Sequence, residues 1–411
     1  MEQTLPMSLR QLSHLDVLRR VARSEITQIK AASMLRVTDR TVRRQLIRLA
    51  TEGPKFLQHG HKGQPSHNRL LSDEMKKIER LLREKYPDFG PTFAAEKLAE
   101  TNGIDRDPKT IRRIQVRLGL FTPRKASKKN EHRFWRIRPS VFGEMAQFDG
   151  SYHRWLEDRL LDAMGQPAEL CLLLAVDDAT GHILDAQFAA HEGVLPVMGF
   201  WLSYAHIHGV PKAIYLDRFS TYSMNMKLAK ENPDTLTQFE RAAKEVGIDV
   251  IHAYSPQAKG RVENMFGTLQ DRLVKEMRLR NIMTVEEANT FLRKIFIPSY
   301  NRKFGKVPAV HGDLHRKPSE RELQDILPHI FCRRESRIVQ NDFTIPYKTK
   351  WFQLLPTPRL AVRPKEKVEV HEFPNGSISL HVRGKQANFH TIQERQNKTK
   401  TANLPQTLVL S

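Results

Sequence analysis

The sequence predicts a multidomain chain: all-α helix-turn-helix modules at the N terminus, a central α/β core and a small β-barrel near the C terminus. Three observations lead there. Residues 8–121 hold two sets of short amphipathic helical segments, each set ending in one with an arginine-rich outer face. Residues 140–330 alternate strand-like apolar runs with helical patterns, and residues 335–384 are short alternating segments broken by turn signals. A chain of 411 residues also exceeds one ordinary domain.

The first module, 8–53, reads as the helices "HLDVLRRVA", "ITQIKAASMLRV" and "TDRTVRRQLIRLA". In the third, Thr38 is the expected N-cap and Val42, Leu46 and Leu49 form the inner stripe. Arg40, Arg43, Arg44, Gln45 and Arg48 are then placed outside. A tight turn before a helix with a basic outer face is the pattern of a recognition helix for the DNA major groove. An ordinary three-helix bundle with a solvated charged face would read the same way.

A joint rich in Gly, Pro and His, "GPKFLQHGHKGQPSHN", leads to a second module over 70–121. There Asp107 and Pro108 are a helix start, N-cap then N1. Ile111, Ile114 and Leu118 are expected inside, with Arg112, Arg113, Gln115 and Arg117 outside. The repeat of the first design strengthens the DNA reading. Between Lys109 and Arg138 the chain holds eleven Lys or Arg against one acid, Glu131. The stretch 122–139, with Arg124, Lys125, Lys128 and Lys129, reads as a basic linker that tracks a nucleic-acid backbone.

In the core, "GEMAQFDGSYHRWL" and "ELCLLLAVDDATGHILDAQF" are strand-like, the second a hairpin around "DDATGH". "LPVMGFWLSYAHIHG" and "TLTQFERAAKEVG" are helical; "KAIYLD" and "IDVIHAY" are strands. "SPQAKGRVENMFGTLQ" turns from a loop into a helix whose apolar stripe is Val262, Phe266, Leu269 and Leu273. Beyond the barrel segment, with its Pro374-Asn375-Gly376 turn, residues 385–411 are expected to be a flexible tail.

Composition narrows the class of partner. Lys and Arg number 67 against 46 acids, a net charge of +21. That surplus favours polyanions, since each phosphate neutralised releases condensed counterions. A membrane is not expected: no apolar run nears the ~18 residues a span needs, and "MEQTLPMSLRQ" lacks the build of a signal peptide. Two cysteines, Cys171 and Cys332, without ligand spacing support neither a zinc finger nor a disulfide framework, and a cytoplasmic protein is expected.

Three acids in the core stand in unusual places. Asp149 in "QFDGS" lies in or at the end of the first strand, Asp217 closes an apolar strand, and Glu263 opens a helix. A carboxylate ending a buried strand is disfavoured unless it is paired or binds a cation. Each has a structural alternative: an Asp149-Gly150 turn, a helix cap by Asp217, an i,i+4 pair between Lys259 and Glu263. Taken together, oxygen donors at one edge of a sheet suit Mg²⁺ or Mn²⁺. Two such ions about 3.5–4 Å apart can drive in-line phosphodiester displacement. Asp177 and Asp178 are rivals, but they fall in a turn where Asp is common.

"FDGS", "YLDRFS" and "YSPQAKGRVENMFGTLQDRL" resemble the integrase-type catalytic core of bacterial insertion-sequence transposases, particularly the ISNCY group, with retroviral integrases as wider relatives. The resemblance covers nearly the whole chain. It implies an RNase H-like core with a catalytic, metal-binding triad of Asp149, Asp217 and Glu263, and two Mg²⁺ (or Mn²⁺) per site. It also implies a homo-oligomer, at least a dimer, that cuts double-stranded DNA at transposon ends and joins the freed 3′-hydroxyl to target DNA. Lys259, Arg261 and Asn264 would contact that DNA. Residues 218–262 make a longer interval than the retroviral pattern has, so "MNMKLAKENPDTLTQ" reads as an insertion, and the retroviral zinc-binding N-terminal module has no counterpart. The rival from another class is a catalytically silent DNA-binding regulator.

Overall fold

The computed structural model of the chain describes residues 7–58, 70–123, 137–217, 232–253, 260–356 and 360–392. Two compact units are formed, 1–123 and 124–411.

In the first unit, α1 (Leu9–Ala22) starts at a capping box of Ser8 and Gln11. Thr27 caps α2 (Gln28–Leu35) and Thr38 caps α3 (Asp39–Glu52), accepting from the Thr41 N–H. Only three residues join α2 to α3, the first of them Arg36 in the left-handed region at φ 55°. Val17, Leu18, Ala31, Ala32 and Val42 form the core, with Leu46 and Leu49 packed against it. Helices α4 (Ser72–Glu84), α5 (Pro91–Asn102) and α6 (Pro108–Arg117) surround a separate core that includes Leu82, Phe89, Phe93 and Ile111. Asp107 caps α6 by accepting from the Lys109 N–H, with Pro108 in the first turn, where its missing N–H costs nothing.

The second unit is built on a five-stranded sheet. β1 (Met145–His153), β2 (Leu170–Asp177) and β3 (Ile183–Ala189) form an antiparallel meander, the expected hairpin among them. After α7 (Val194–Ile207), β4 (Ala213–Asp217) pairs parallel to β1. Helix α8 (Asn232–Val246) then leads to β5 (Asp249–Ala253), parallel to β4, for a spatial order β3-β2-β1-β4-β5. Of the expected insertion, residues 224–231 lie outside the described residues and the rest opens α8. Helix α9 (Gly260–Leu279) follows, then α10 (Val285–Phe291), a π turn over Leu292–Phe296, and α11 (Ile297–Phe304). The π turn precedes Pro298, which has no N–H for an α-helical bond.

Both faces of this sheet are covered, so β2 is buried along its whole length. On one face Phe148, Leu173 and Ile214 pack with Trp201 of α7 and Phe239 of α8. On the other, Leu172, Leu174 and Val176 pack with Val262, Phe266, Leu269 and Leu273, the stripe expected on α9. Among the described residues no helix is long and apolar enough to cross a membrane.

After the short α12 (Leu327–Ile330), the chain forms β6 (Arg333–Ile338), β7 (Thr344–Tyr347), β8 (Lys350–Leu354), β9 (Lys367–Glu372), β10 (Ile378–Val382), β11 (Lys385–Ala387) and β12 (Phe389–Ile392). The expected small β-barrel is not closed among the described residues. The described strands make two open sheets, β11-β10-β9-β6 and β12-β8-β7, over one core of Ile345, Phe352, Val368, Val370 and Leu380. The chain passes between the sheets at Asn388, between β11 and β12. The same strands correct the tail, whose first residues are ordered in β11 and β12; residues 393–411 lie outside the described ones. The Pro374-Asn375-Gly376 turn does join β9 to β10, with Gly376 at φ 80° and Asn375 accepting from the Ser377 N–H.

Where α12 meets this β region, His329, His371 and His381 cluster. Burial, then His381, Arg334 and His329, hold the His371 ring down to about 3, and burial lowers His329 and His381 as well. Their folded pKa values lie below the ordinary 6.5, so below that pH the unfolded chain binds more protons than the native one. Stability conferred by the neutral rings is complete above about pH 6.5 and falls as pH drops towards 3. Melting of the metal-free chain between about pH 7 and pH 5 should show this decline, and His371→Asn should flatten it.

Candidate active site

The sheet order fixes where a site can form. From β1 the chain runs outward through β2 and β3 on one side, then returns to build β4 and β5 on the other. The point of reversal lies between β1 and β4, whose carboxyl ends share one edge because the two are parallel. In open α/β sheets that crevice is where ligands bind.

Asp149 and Asp217 flank it. The last β1–β4 pair is Gln147 with Tyr215, and each aspartate lies two residues further along its own strand. Positions 149 and 217 are therefore level by count, each two residues past the last paired residues of adjacent strands. Period-2 alternation gives both positions the parity of Met145, Ala213 and Tyr215, opposite to Phe148 and Leu216. Asp149 is 7% exposed.

The turn alternative for Asp149-Gly150 does not hold. β1 runs through both residues, pairing Asp149 with Leu174 and Gly150 with Leu173. A Cβ at 150 would lie 2.6 Å from a carboxylate oxygen at the end of the Glu192 side chain, which could swing aside, and 3.0 Å from Cys171 Sγ. Burial, with the charges of Glu192 and Asp149, raises the Cys171 thiol far above its ordinary range, so it stays protonated. The helix that Asp217 would otherwise cap falls in residues outside those described.

Glu263 lies in the first turn of α9 and is exposed, beside buried Val262. Farther along α9, Gln270 Nε2 donates to Ser151 Oγ at 3.4 Å. Ser151 follows Asp149 by two residues on β1, so α9 lies along the strand and face that carry Asp149. Asn264 is exposed, and its carbonyl accepts from Thr268 Oγ1. Lys259 and the side chain of Arg261 lie outside the described residues. The donor set contains only carboxylates, which fits a hard cation such as Mg²⁺ or Mn²⁺ and disfavours a soft one.

The rival acids hold structure. Asp177 accepts from the backbone N–H of Gly143 and Thr180 and from the Thr180 hydroxyl, while Asp178 accepts from Gln147 Nε2 at 2.7 Å. Asp185, 2% exposed, is gripped by Arg293 through two bonds of 3.1 Å.

In the helical unit, Arg40, Arg43, Arg44 and Arg48 are exposed on α3, and Arg112, Arg113 and Arg117 on α6. Several already have partners: Arg43 pairs with Asp39, Arg48 grips Glu52 through two bonds, and Arg117 pairs with Glu79. Arg112 lies over the Phe121 ring, and Arg113 donates to Thr110. Arg40 and Arg44 make no ion pair with any described residue, so their charges are open to a ligand. Two expected outer residues turn inward. Gln45 bonds His14 at 3.0 Å, and Gln115, fully buried, donates to the Phe89 carbonyl. The Gln115 amide is satisfied on its nitrogen side alone, since its Oε1 is buried without a hydrogen-bond partner among the described residues. Arg124, Lys125, Lys128 and Lys129 lie outside the described residues. The sequence reading missed the three-histidine cluster, whose members are dispersed along the chain and give no ligand spacing.

No protein-family model matches the chain. Among curated proteins it is 35% identical over 398 residues to y4bF of Sinorhizobium fredii, a protein named as a transposase, covering 97% of this chain and 84% of that one. It is 28% identical over 432 residues to the transposase for insertion sequence IS1202 of Streptococcus pneumoniae, covering 95% and 88%. Among solved structures it aligns with a simian T-cell lymphotropic virus intasome bound to a PP2A regulatory subunit (TM-score 0.31, 13% identity, 75% of this chain and 97% of that one). It aligns also with the HTLV-2 integrase catalytic core in complex with magnesium (TM-score 0.28, 18% identity, 37% and 84%). Alignments that loose do not establish a shared fold.

Proposed function

The chain belongs to the insertion-sequence transposases, and from that premise we propose that it binds the terminal inverted repeats of its element, cuts there and joins the cut ends to target DNA. The observation that carries this reading is the placement of Asp149 and Asp217, level by count across the switch point of the sheet. With Glu263 from α9 they would hold Mg²⁺, two ions per site. When bound, the metal supplies charge stabilisation at the phosphoryl oxygens and lowers the barrier to in-line attack. In the first step water attacks the scissile phosphate and its bond to the 3′-oxygen breaks, freeing the 3′-hydroxyl of the element's end; in the second that hydroxyl attacks a target-DNA phosphate and displaces the target strand's own 3′-oxygen. The carboxylates would position both reactants in an RNase H-like core.

Arg40 and Arg44 of α3, with Arg112 and Arg113 of α6, are proposed to contact the ends. Lys259, Arg261 and Asn264 would sit beside the scissile strand. Joining two ends in one event requires at least a dimer on the DNA, acting on the bacterial nucleoid in the cytoplasm.

The test is cleavage and joining on labelled DNA carrying the element's own ends, with Mg²⁺. Metal-dependent nicking followed by joined products is expected. Specific end binding with no cutting in Mg²⁺ or Mn²⁺ would instead indicate a regulator. Arg40→Ala with Arg44→Ala should weaken end binding and reduce the slope of log affinity against log salt by about 1 for each phosphate no longer neutralised. Arg48→Ala should change that slope less, because Glu52 already accompanies its charge.

A further inference from the structure

We propose that His329, His371 and His381 form a transition-metal site of the zinc class, clasping α12 to the four-stranded sheet of the C-terminal β region. One nitrogen from each ring lies within 4.8 Å of the others. The Nδ1 atoms of His329 and His371 are 3.3 Å apart. Two imidazole nitrogens on a tetrahedral zinc, each ~2.0–2.1 Å from the ion, stand ~3.3–3.4 Å from one another.

The outward nitrogens have suitable partners. Nε2 of His371 faces Glu369 at 3.4 Å, and Nε2 of His381 faces the Ser379 hydroxyl at 2.9 Å. A ligating histidine commonly donates its other N–H to such a group, which fixes the tautomer and leaves the inner nitrogen bare. Both partners sit two residues from the histidine they face, on β9 and β10.

Two guanidiniums, Arg334 and Arg241, act on the His371 ring and share the one Glu245 carboxylate, so a bound cation must overcome a net positive neighbour. Arg334 is held by Glu245 through two bonds of 2.9 and 2.8 Å and donates to the His329 carbonyl. Cys332 also donates to that carbonyl, so its sulfur is engaged and the fourth position falls to water. Ligation by all three rings asks one adjustment. His371 and His381 are stacked, with centroids 4.2 Å apart and planes at 21°, whereas a bound ion lies in the plane of each ring. The His381 ring must turn out of that stack.

The chemistry differs from that of the carboxylate site. Three imidazoles select zinc, copper, nickel or cobalt over magnesium. The site would fasten α12, the last helix before β6, to β9 and β10.

The full chain, stripped with chelator, is titrated with Zn²⁺ by calorimetry and with Co²⁺ by visible absorption. One equivalent per chain is expected, with the intense absorption of a tetrahedral cobalt site. The equivalent should persist in Asp149→Asn/Asp217→Asn and be lost in His329→Ala and in His381→Ala. Glu369→Gln, which leaves the ligands in place, should weaken binding about 10–100-fold. Far-UV circular dichroism establishes which variants are folded. His329 lies at the partly exposed end of α12, so its variant tests the site even where removal of buried His371 unfolds the β region. Absence of zinc binding by the wild-type chain, or undiminished binding by a folded His329→Ala/His381→Ala variant, would overturn the proposal.

Discussion

Replacing Asp149 or Asp217 by asparagine is expected to lower strand cleavage and joining by about 10³-fold or more, while leaving the binding of DNA ends within about twofold. Asparagine keeps the size of the side chain and removes the charge that a hard cation requires. A bound metal supplies several kcal/mol of transition-state stabilisation, and each ~1.36 kcal/mol is tenfold in rate. The proposed end-binding arginines belong to the other compact unit, so their contacts do not depend on these carboxylates. Cleavage on labelled ends and a parallel mobility-shift titration measure the two effects separately. Glu263→Gln should behave alike, and because Glu263 is exposed its loss should leave the fold intact. Activity within tenfold of wild type in either aspartate variant would remove that residue from the metal site.

The second large effect concerns what holds β1 in place. Trp201 of α7 is buried among Phe148, Phe200, Tyr204 and Phe239, with ring centroids 4.9–5.8 Å away. Phe148 is the residue before Asp149, so the cluster supports the strand at the site from its opposite face. Trp201→Ala should cost about 3–5 kcal/mol through reduced burial and the cavity left behind. Trp201→Phe should cost much less, under about 1.5 kcal/mol. It leaves a smaller cavity, and the indole N–H, which has no hydrogen-bond acceptor among the described residues, goes with it. Denaturant unfolding of the two variants measures the difference. Equal losses would mean that the ring cluster is not what supports β1.

Local features are legible in the sequence because local physics decides them. The caps at Thr38 and Asp107 need only a side chain and the N–H groups two or three residues on. The stripe on α9 needs only the 3.6-residue period, and the hairpin of β2 and β3 only a turn between apolar runs. Gln45 and Gln115 depart from the expected outer face because a polar side chain need not be an exposed one. Their burial depends on His14 and on the Phe89 carbonyl, which the helix pattern does not contain. Barrel closure is not legible for a related reason: alternation marks strands but not whether two sheets close on each other.

The site is legible only in part. That Asp149, Asp217 and Glu263 belong together is suggested by three acids at one sheet edge, and only the resemblance makes them a set. The register that sets positions 149 and 217 level follows from parallel pairing between strands far apart in the chain. The histidine cluster, drawn from α12, β9 and β10, has no local signal at all.

The central claim is that these carboxylates hold the metal at which DNA is cut. The most direct measurement is the number of Mn²⁺ ions bound by the DNA-bound chain, counted by electron paramagnetic resonance, in wild type and in Asp149→Asn/Asp217→Asn. Two ions per site, displaced by Mg²⁺ and absent from the double variant while DNA stays bound, is the predicted result. The same number of ions bound by both proteins would contradict the account.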